Sequence, residues 1–294
     1  MSKLIKGSTI AASQLFVISD LHIGDGSAKD MLCRQGKEQQ LLRFLDFVEA
    51  QGGELLILGD LFELWRFDIR DVVSRWGPLL DRFDALKTKF IPGNHDVVLL
   101  DDSVDVTVHP FFARLCRPYM QRIGDKRFRF MHGHEVDPFI PKRLDKWGKR
   151  LGTWAGWVEM NSDLCLTACD PMVDVFLELG EQIIHVWQWI TRNVNRTLHE
   201  ELTLLSEEGL KRLKRGLRTR KMLSRFCRQR DDGAYDVAIV GHTHHAGYFN
   251  QWYYNSGCWT KPVNNFLKIW PDGHVEVFDW DGHQESVNQS LIGA

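Results

Sequence analysis

The chain has 294 residues, of which 44% are hydrophobic, 26% charged and 11% aromatic. This is ordinary globular composition on a chain long enough to bury a core without disulfide staples. It excludes a disordered segment, a collagen-like chain and a disulfide-rich miniprotein. Lys and Arg total 37 against 39 Asp and Glu, a net charge of −2, so whole-chain charge favours neither nucleic acid nor membrane.

Residues 1–14 are polar and the apolar run 15–18 is too short for a signal-peptide core. No stretch approaches the roughly 18 uninterrupted apolar residues of a spanning helix. The six cysteines (33, 116, 165, 169, 227 and 258) form no CxxC pair. Reduced thiols and a cytoplasmic location are expected.

In chain order, five short apolar runs each end in an unusual polar residue. Residues 15–19 (LFVIS) lead into Asp20-Leu21-His22, and residues 55–58 (LLIL) into Gly59-Asp60. Residues 89–92 (KFIP) lead into Gly93-Asn94-His95-Asp96. Residues 127–131 (RFRFM) lead into His132-Gly133-His134, and residues 237–240 (VAIV) into Gly241-His242-Thr243-His244-His245. Each run reads as a buried strand. Helical patterns over 35–50 and 72–86 separate the early runs, which predicts a layered α/β sheet. In such sheets ligands gather at the carboxyl ends of strands, and all five ends carry Asp, Asn or His. Farther on, residues 253–256, 266–270 and 275–279 read as strands completing a second sheet. The polar segment from Gly282 reads as a frayed end.

Asp, Asn and His supply oxygen and nitrogen donors of borderline hardness, with no thiolate among them. Such a set suits Mn, Fe, Co or Zn better than it suits a structural cysteine-based zinc site. Seven candidate ligands exceed the needs of one tetrahedral ion. They suffice for two ions sharing a carboxylate, an arrangement that catalyses in-line displacement at phosphorus.

The order Asp-x-His, Gly-Asp, Gly-Asn-His-Asp, His-Gly, Gly-His-x-His resembles the calcineurin-like metallophosphoesterases, over roughly residues 15–134 and 236–260. Within them, Gly59-Asp60-Leu61-Phe62-Glu63-x-Trp65 resembles the UDP-2,3-diacylglucosamine pyrophosphatases of lipid A synthesis. The resemblance implies an α/β fold, a four-layer αββα sandwich with a helical insertion before the last metal motif. It implies two divalent cations, Mn²⁺ first and Fe, Co or Zn as alternatives. Asp20, His22, Asp60 and His244 would hold one ion, and Asp60, Asn94, His132 and His242 the other, with Asp60 as the bridge. A hydroxide between the ions would attack phosphorus. His95 would protonate the departing oxygen, and Asp96 would orient and charge-stabilise that imidazole. One departure stands out: many lipid A pyrophosphatases carry Arg where this chain has His95, and a histidine there admits alkoxide leaving groups as well.

The domain organisation expected is a catalytic domain of residues 1–134 and 231–294 with a helical lid over 135–230. Met172, Phe176, Leu179, Ile183, Val186 and Ile190 form one amphipathic stripe, and Gly148, Gly152 and Gly156 recur every four residues. Residues 206–230 hold 10 basic and 2 acidic residues, a density that attracts phosphates on a substrate or an anionic bilayer. Peripheral contact with the inner membrane face is therefore expected through this segment. Nucleic acid ranks third, because the interleaved aromatics of a single-strand platform are missing.

The remaining polar residues have plainer readings. His134 and His245 sit beside ligands but read as solvent-facing or supporting. Asp25 and Asp30 read as solvated loop carboxylates, and Cys258 as small-residue packing near the site. The leading function is a two-metal phosphohydrolase acting on a nucleotide-linked lipid pyrophosphate. The alternatives are a phosphoesterase for a nucleotide, cyclic diester or phosphoprotein, and a non-catalytic scaffold on the same fold. A scaffold is expected to lose ligands or the acid, and this chain keeps them all.

Overall fold

The computed structural model describes residues 13–34, 36–102, 104–137 and 207–292, with side chains from residue 219 onward in the last segment. The expected stripe at 172–190 and the glycines at 148, 152 and 156 lie outside the described residues. By internal packing the chain divides into two units, Met1–Gly133 with Gly233–Ile292, and His134–Asp232 with the last two residues.

The first unit holds eleven described strands: β1 (Leu15–Ile18), β2 (Glu54–Leu58), β3 (Lys89–Ile91), β4 (Tyr119–Ile123), β5 (Lys126–Phe130), β6 (Val237–Val240), β7 (Gly247–Phe249), β8 (Tyr253–Asn255), β9 (Asn264–Ile269), β10 (Val275–Trp280) and β11 (Glu285–Val287). They form a six-stranded sheet in the order β11-β10-β9-β1-β2-β3 and a five-stranded sheet in the order β4-β5-β6-β8-β7. Two helices, α1 (Lys37–Ala50) and α2 (Ile69–Ala85), link the first three strands. The α/β sandwich expected from the strand and helix pattern is present, as two mixed sheets with helices flanking them.

Period-two alternation in the strands builds the layers. Phe16 and Ile18 of β1, with Leu55 and Ile57 of β2, pack into one core with Phe44 and Leu45 of α1 and Trp76 and Leu80 of α2. Val17, Leu56, Leu58 and Ile91 point to the opposite face. There they meet Phe128, Phe130, Val237 and Ile239 of the second sheet. Both faces of the first sheet are buried, which is why its central strands read as unbroken apolar runs. The buried apolar positions of α1, at 41, 44, 45 and 48, repeat at helical spacing. Asp68 caps α2 by accepting from the Arg70 N–H at 2.8 Å.

Two expectations about the carboxy-terminal strands need correction. β9 and β10 complete the first sheet, not the second: β9 runs antiparallel to β1, and β10 pairs along β9. Phe266 and Phe278 fill the helix-side core, stacked at 5.2 Å, while Leu267 and Val277 face the core between the sheets, and the pairing of β9 with β1 sets the sheet that these strands join. Nor is the segment after Gly282 frayed. β11 pairs with β10, and Asn288 N–H bonds to the Val277 carbonyl at 2.8 Å.

In the second unit, α3 (Glu207–Asp231) is a single 25-residue helix across the basic segment. Its Met222, Leu223 and Phe226 are buried, while Arg220, Lys221, Arg228 and Arg230 are exposed.

β1, β2 and β3 are mutually parallel, as are β5, β6 and β8. The five strands whose ends carry Asp, Asn or His therefore present those ends within their sheets in a common direction.

Candidate metal centre

The loops after β1 and β2 continue side by side beyond the strands. Asp20 N–H bonds to Gly59 O at 3.0 Å, and the Leu21 and His22 N–H groups both reach Asp60 O, at 2.9 and 3.0 Å. Within the second sheet, beyond the ends of β5 and β6, Gly241 N–H bonds to His132 O at 2.8 Å. These contacts fix the register of four ligand-bearing loops before any side chain is considered.

Five of the site residues stand in the left-handed backbone region, where non-glycine residues are uncommon. Their φ angles are 56° at Asp20, 50° at His22, 51° at Asp60, 72° at His242 and 56° at His244. Each such residue costs on the order of 1–3 kcal/mol, and strain of this kind concentrates at functional sites. Glycine is required at two neighbouring positions by close approach. A Cβ on Gly59 would strike the His132 ring, and one on Gly93 would strike the Asp60 carboxylate.

Asp60 is the centre. Its Oδ2 lies 3.2 Å from His132 Nε2, 3.8 Å from His22 Nε2 and 4.0 Å from His95 Nε2. Its Oδ1 accepts from the His95 N–H at 2.9 Å, which locks the carboxylate plane. Beside it, Asp20 Oδ1 faces His244 Nε2 at 3.0 Å, and the Nε2 atoms of His22 and His244 are 3.3 Å apart. Asp20 Oδ2 accepts from the His242 N–H at 3.0 Å and from the Ser19 hydroxyl. His132 Nδ1 lies 2.8 Å from Leu58 O and donates to it across the two sheets. That bond leaves Nε2 as the nitrogen facing Asp60. The His132 and His242 rings meet edge to face at 5.1 Å.

Among the described residues three groups of side chains offer ligand atoms within 4.8 Å of one another. Two of them are Asp20, His22 and His244, and Asp60, His132 and His242; the third is His22, Glu63 and His95. The six expected positions among them stand together in the structure, in groups that match the two ligand sets the resemblance implies. Asn94, the seventh, has its Oδ1 buried with no hydrogen-bond partner among the described residues, an acceptor that a bound cation would satisfy. The donor set is all oxygen and imidazole, and it fits a pair of divalent cations of the Mn, Fe, Co or Zn type.

Charge follows the geometry. Burial alone would raise the Asp20 carboxyl, but His244 beside it outweighs burial and holds it down at about 2. Burial is likewise outweighed at Asp60, where His132, His95 and His22 keep the group well below the usual carboxylate range. Both are anions, as cation ligands must be.

The surroundings of His95 depart from expectation. Its Nδ1 meets Glu63 Oε1 at 2.8 Å, so the direct orienting partner is Glu63 and not Asp96. The fully buried Asp96 instead accepts from the backbone N–H groups of Phe62, at 3.1 Å, and Gly93, at 2.5 Å, tying the β2 and β3 loops together. With each oxygen held by a backbone donor, Asp96 acts on His95 through its charge. Glu63 also meets His22 Nδ1 through Oε2 at 3.0 Å. Trp65 stacks on His95 with centroids 3.7 Å apart and donates its indole N–H to Asn94 O at 3.0 Å. The Glu63-x-Trp65 signal was visible in the sequence, but only as a mark of resemblance.

Other sequence candidates fall outside the ligand groups. His245 is exposed and bonds to Thr243 O, and His134 pairs with its neighbour Glu135 at 3.5 Å. Asp25 caps a local turn at Ser27 N–H. Asp30 is buried, contrary to expectation, because it accepts from Gly26 N–H, Leu32 N–H and the Trp76 indole. Cys258 is buried beside the His244 carbonyl.

The metal-free protein should show these charges in its stability. Burial and the Asp60 charge push Asp96 up to about 7. For His95 burial pulls down, but Glu63 and Asp60 outweigh it and raise the imidazole above its ordinary value. A raised folded-state pKa contributes stability that is present below the unfolded value and lost as pH rises through the folded one. Both groups therefore predict a lower melting temperature in chelator at about pH 8 than at about pH 5. Asp20 and Asp60, shifted down, act only at more acid pH. Added Mn²⁺ should narrow the gap, since a cation beside Asp60 relieves Asp96. Equal midpoints at the two pH values in chelator would contradict these shifts.

Two mixed sheets with a histidine and carboxylate cluster at their strand ends define a metallophosphoesterase class of protein. The chain belongs to the calcineurin-like phosphoesterase family, whose pattern matches residues 14–246. No curated protein is recognisably similar in sequence. Among solved structures, a single mutant of Vps29 from Entamoeba histolytica aligns at 15% identity and TM-score 0.39, covering 94% of this chain and 97% of that one. Vacuolar Protein Sorting 29 from Cryptosporidium parvum aligns at 13% identity and TM-score 0.40, covering 95% and 97%. A novel archaeal phosphodiesterase aligns at 11% identity and TM-score 0.38, covering 94% and 99%.

Proposed function

We propose that the protein is a two-metal-dependent phosphohydrolase, with Asp20, His22, Asp60, Asn94, His132, His242 and His244 holding two divalent cations, Mn²⁺ being the first choice. The observation that carries this reading is Asp60 Oδ2 with three imidazole Nε2 atoms within 4.0 Å of it, between two ready ligand groups. Bound cations would acidify water and neutralise charge growing on the phosphoryl oxygens. The chain's own residues supply the rest. Asp20 and Asp60 present fixed anions. His95, partly exposed with its Nε2 turned toward Asp60, delivers a proton to the departing oxygen. Trp65 and Glu63 hold that ring in place. A scaffold role would not require an acid so tightly oriented.

The narrower proposal is a nucleotide-linked lipid pyrophosphate resembling UDP-2,3-diacylglucosamine, cut at its phosphoanhydride. The Gly59-to-Trp65 segment supports it, and so does α3 with its exposed Arg220, Lys221, Arg228 and Arg230, which suits contact with an anionic membrane surface. Among the described residues no helix is long and apolar enough to cross a membrane. In this reading residues 135–230 form a lid over the acyl chains, and the rest is the catalytic domain. The test is UMP release from UDP-2,3-diacylglucosamine with Mn²⁺ and detergent, beside an aryl phosphodiester. Rapid Mn²⁺-dependent UMP release is expected. Turnover of the aryl ester alone would keep the phosphohydrolase and discard the lipid.

A further inference from the structure

Glu63 is a buried carboxylate that belongs to neither ligand group around Asp60, yet it touches both kinds of functional histidine. Its Oε2 lies 3.0 Å from His22 Nδ1 and its Oε1 lies 2.8 Å from His95 Nδ1. The two rings pack edge to face, 4.6 Å between centroids and 89° apart, so one carboxylate grips two perpendicular imidazoles. Although His22, Glu63 and His95 form a compact trio of ligand types, they do not read as a third cation site. Each Glu63 oxygen already sits at hydrogen-bond distance from a ring nitrogen, and both rings turn their Nε2 atoms toward Asp60.

A carboxylate only accepts hydrogen bonds, and so both Nδ1 atoms must be the donors. For His22 this fixes the proton on Nδ1 and leaves the Nε2 lone pair for a cation, the arrangement that supporting carboxylates impose on metal-binding histidines. For His95 the same contact leaves Nε2 as the nitrogen that exchanges a proton with substrate. We infer that Glu63 is a positioning residue that couples the first cation site to the proton donor, by setting the orientation and tautomer of His22 and His95 through its two oxygens. This rests on the phosphohydrolase reading for the roles of the two histidines. Trp65 reinforces it from the other side, because stacking on His95 and bonding to Asn94 O leaves that ring little freedom.

Glu63→Gln is the informative change, since an amide of nearly the same shape has one acceptor and one donor end. It can satisfy one histidine as now, and at the other it must donate, which moves that proton to Nε2. Where the amide donates to His22, calorimetric titration of metal-stripped protein with Mn²⁺ should show one of the two binding events weakened about 10- to 100-fold. Where it donates to His95, kcat at saturating Mn²⁺ should fall more for an alkyl phosphodiester than for an aryl one, with little change in KM. An unchanged isotherm together with an equal loss on both esters would overturn the coupling.

A second measurement uses the native chain and does not depend on the variant folding. Long-range ¹H–¹⁵N correlation of the metal-free protein should give His22 a protonated Nδ1, and a proton on Nε2 alone would overturn the assignment. Failure of the parent reading looks different: native protein that binds no Mn²⁺ and cleaves neither ester, whatever the His22 tautomer.

Discussion

Asp60→Asn is expected to abolish tight binding of both cations and to lower kcat/KM on the order of 10³-fold or more, because one charged oxygen serves both ligand groups. The amide still accepts the His95 N–H through its Oδ1, so the loop after β3 keeps its anchor and the fold is expected to survive. What disappears is the anion at the midpoint of His132, His22 and His95, whose Nε2 atoms stand 3.2, 3.8 and 4.0 Å from Oδ2. Asp60→Ala should lose the cations and also the His95 anchor, giving the same catalytic loss with a lower melting temperature. Activity within tenfold of native in the folded Asn variant would remove Asp60 from the centre of the account.

His95→Ala should discriminate between leaving groups. General acid catalysis contributes about 10²–10⁴-fold where the departing oxygen is a strong base. Hydrolysis of an alkyl phosphodiester should therefore fall by about that factor, whereas a nitrophenyl ester, whose leaving group departs without a proton, should fall far less. Cation binding should be nearly retained, since His95 is outside both ligand groups around Asp60. Equal losses on the two esters would mean that His95 shapes the site without delivering a proton.

The family motifs lie at the ends of parallel strands, and that placement made most of the site readable in advance. A buried strand announces itself as an apolar run, and Asp, Asn or His at its end has no packing reason to be there. Asp20, His22, Asp60, His132, His242 and His244 were legible for that reason, and Asn94 followed from its setting in Gly-Asn-His-Asp. The role of Asp96 was not. Adjacency to His95 suggested contact, but the turn after β3 directs the carboxylate to the Phe62 and Gly93 amides. Glu63 escaped because its partners are 41 and 32 residues away, a separation that no local pattern encodes. Sheet membership was also illegible for β9 and β10: their apolar pattern is equally suited to either sheet, and the choice is made by pairing with β1. Residues 138–206 lie outside the described part of the chain, and there the helical stripes stand on the sequence alone.

Stripping the purified protein of metal, titrating Mn²⁺ back by calorimetry and following hydrolysis of bis(4-nitrophenyl) phosphate at each point tests most directly whether the seven proposed side chains hold two cations around Asp60 and support phosphohydrolysis. Two Mn²⁺ bound per chain are expected, with activity rising as the second is taken up. Saturation at a single ion, or a fully loaded protein that hydrolyses no phosphoester, would contradict the two-metal phosphohydrolase.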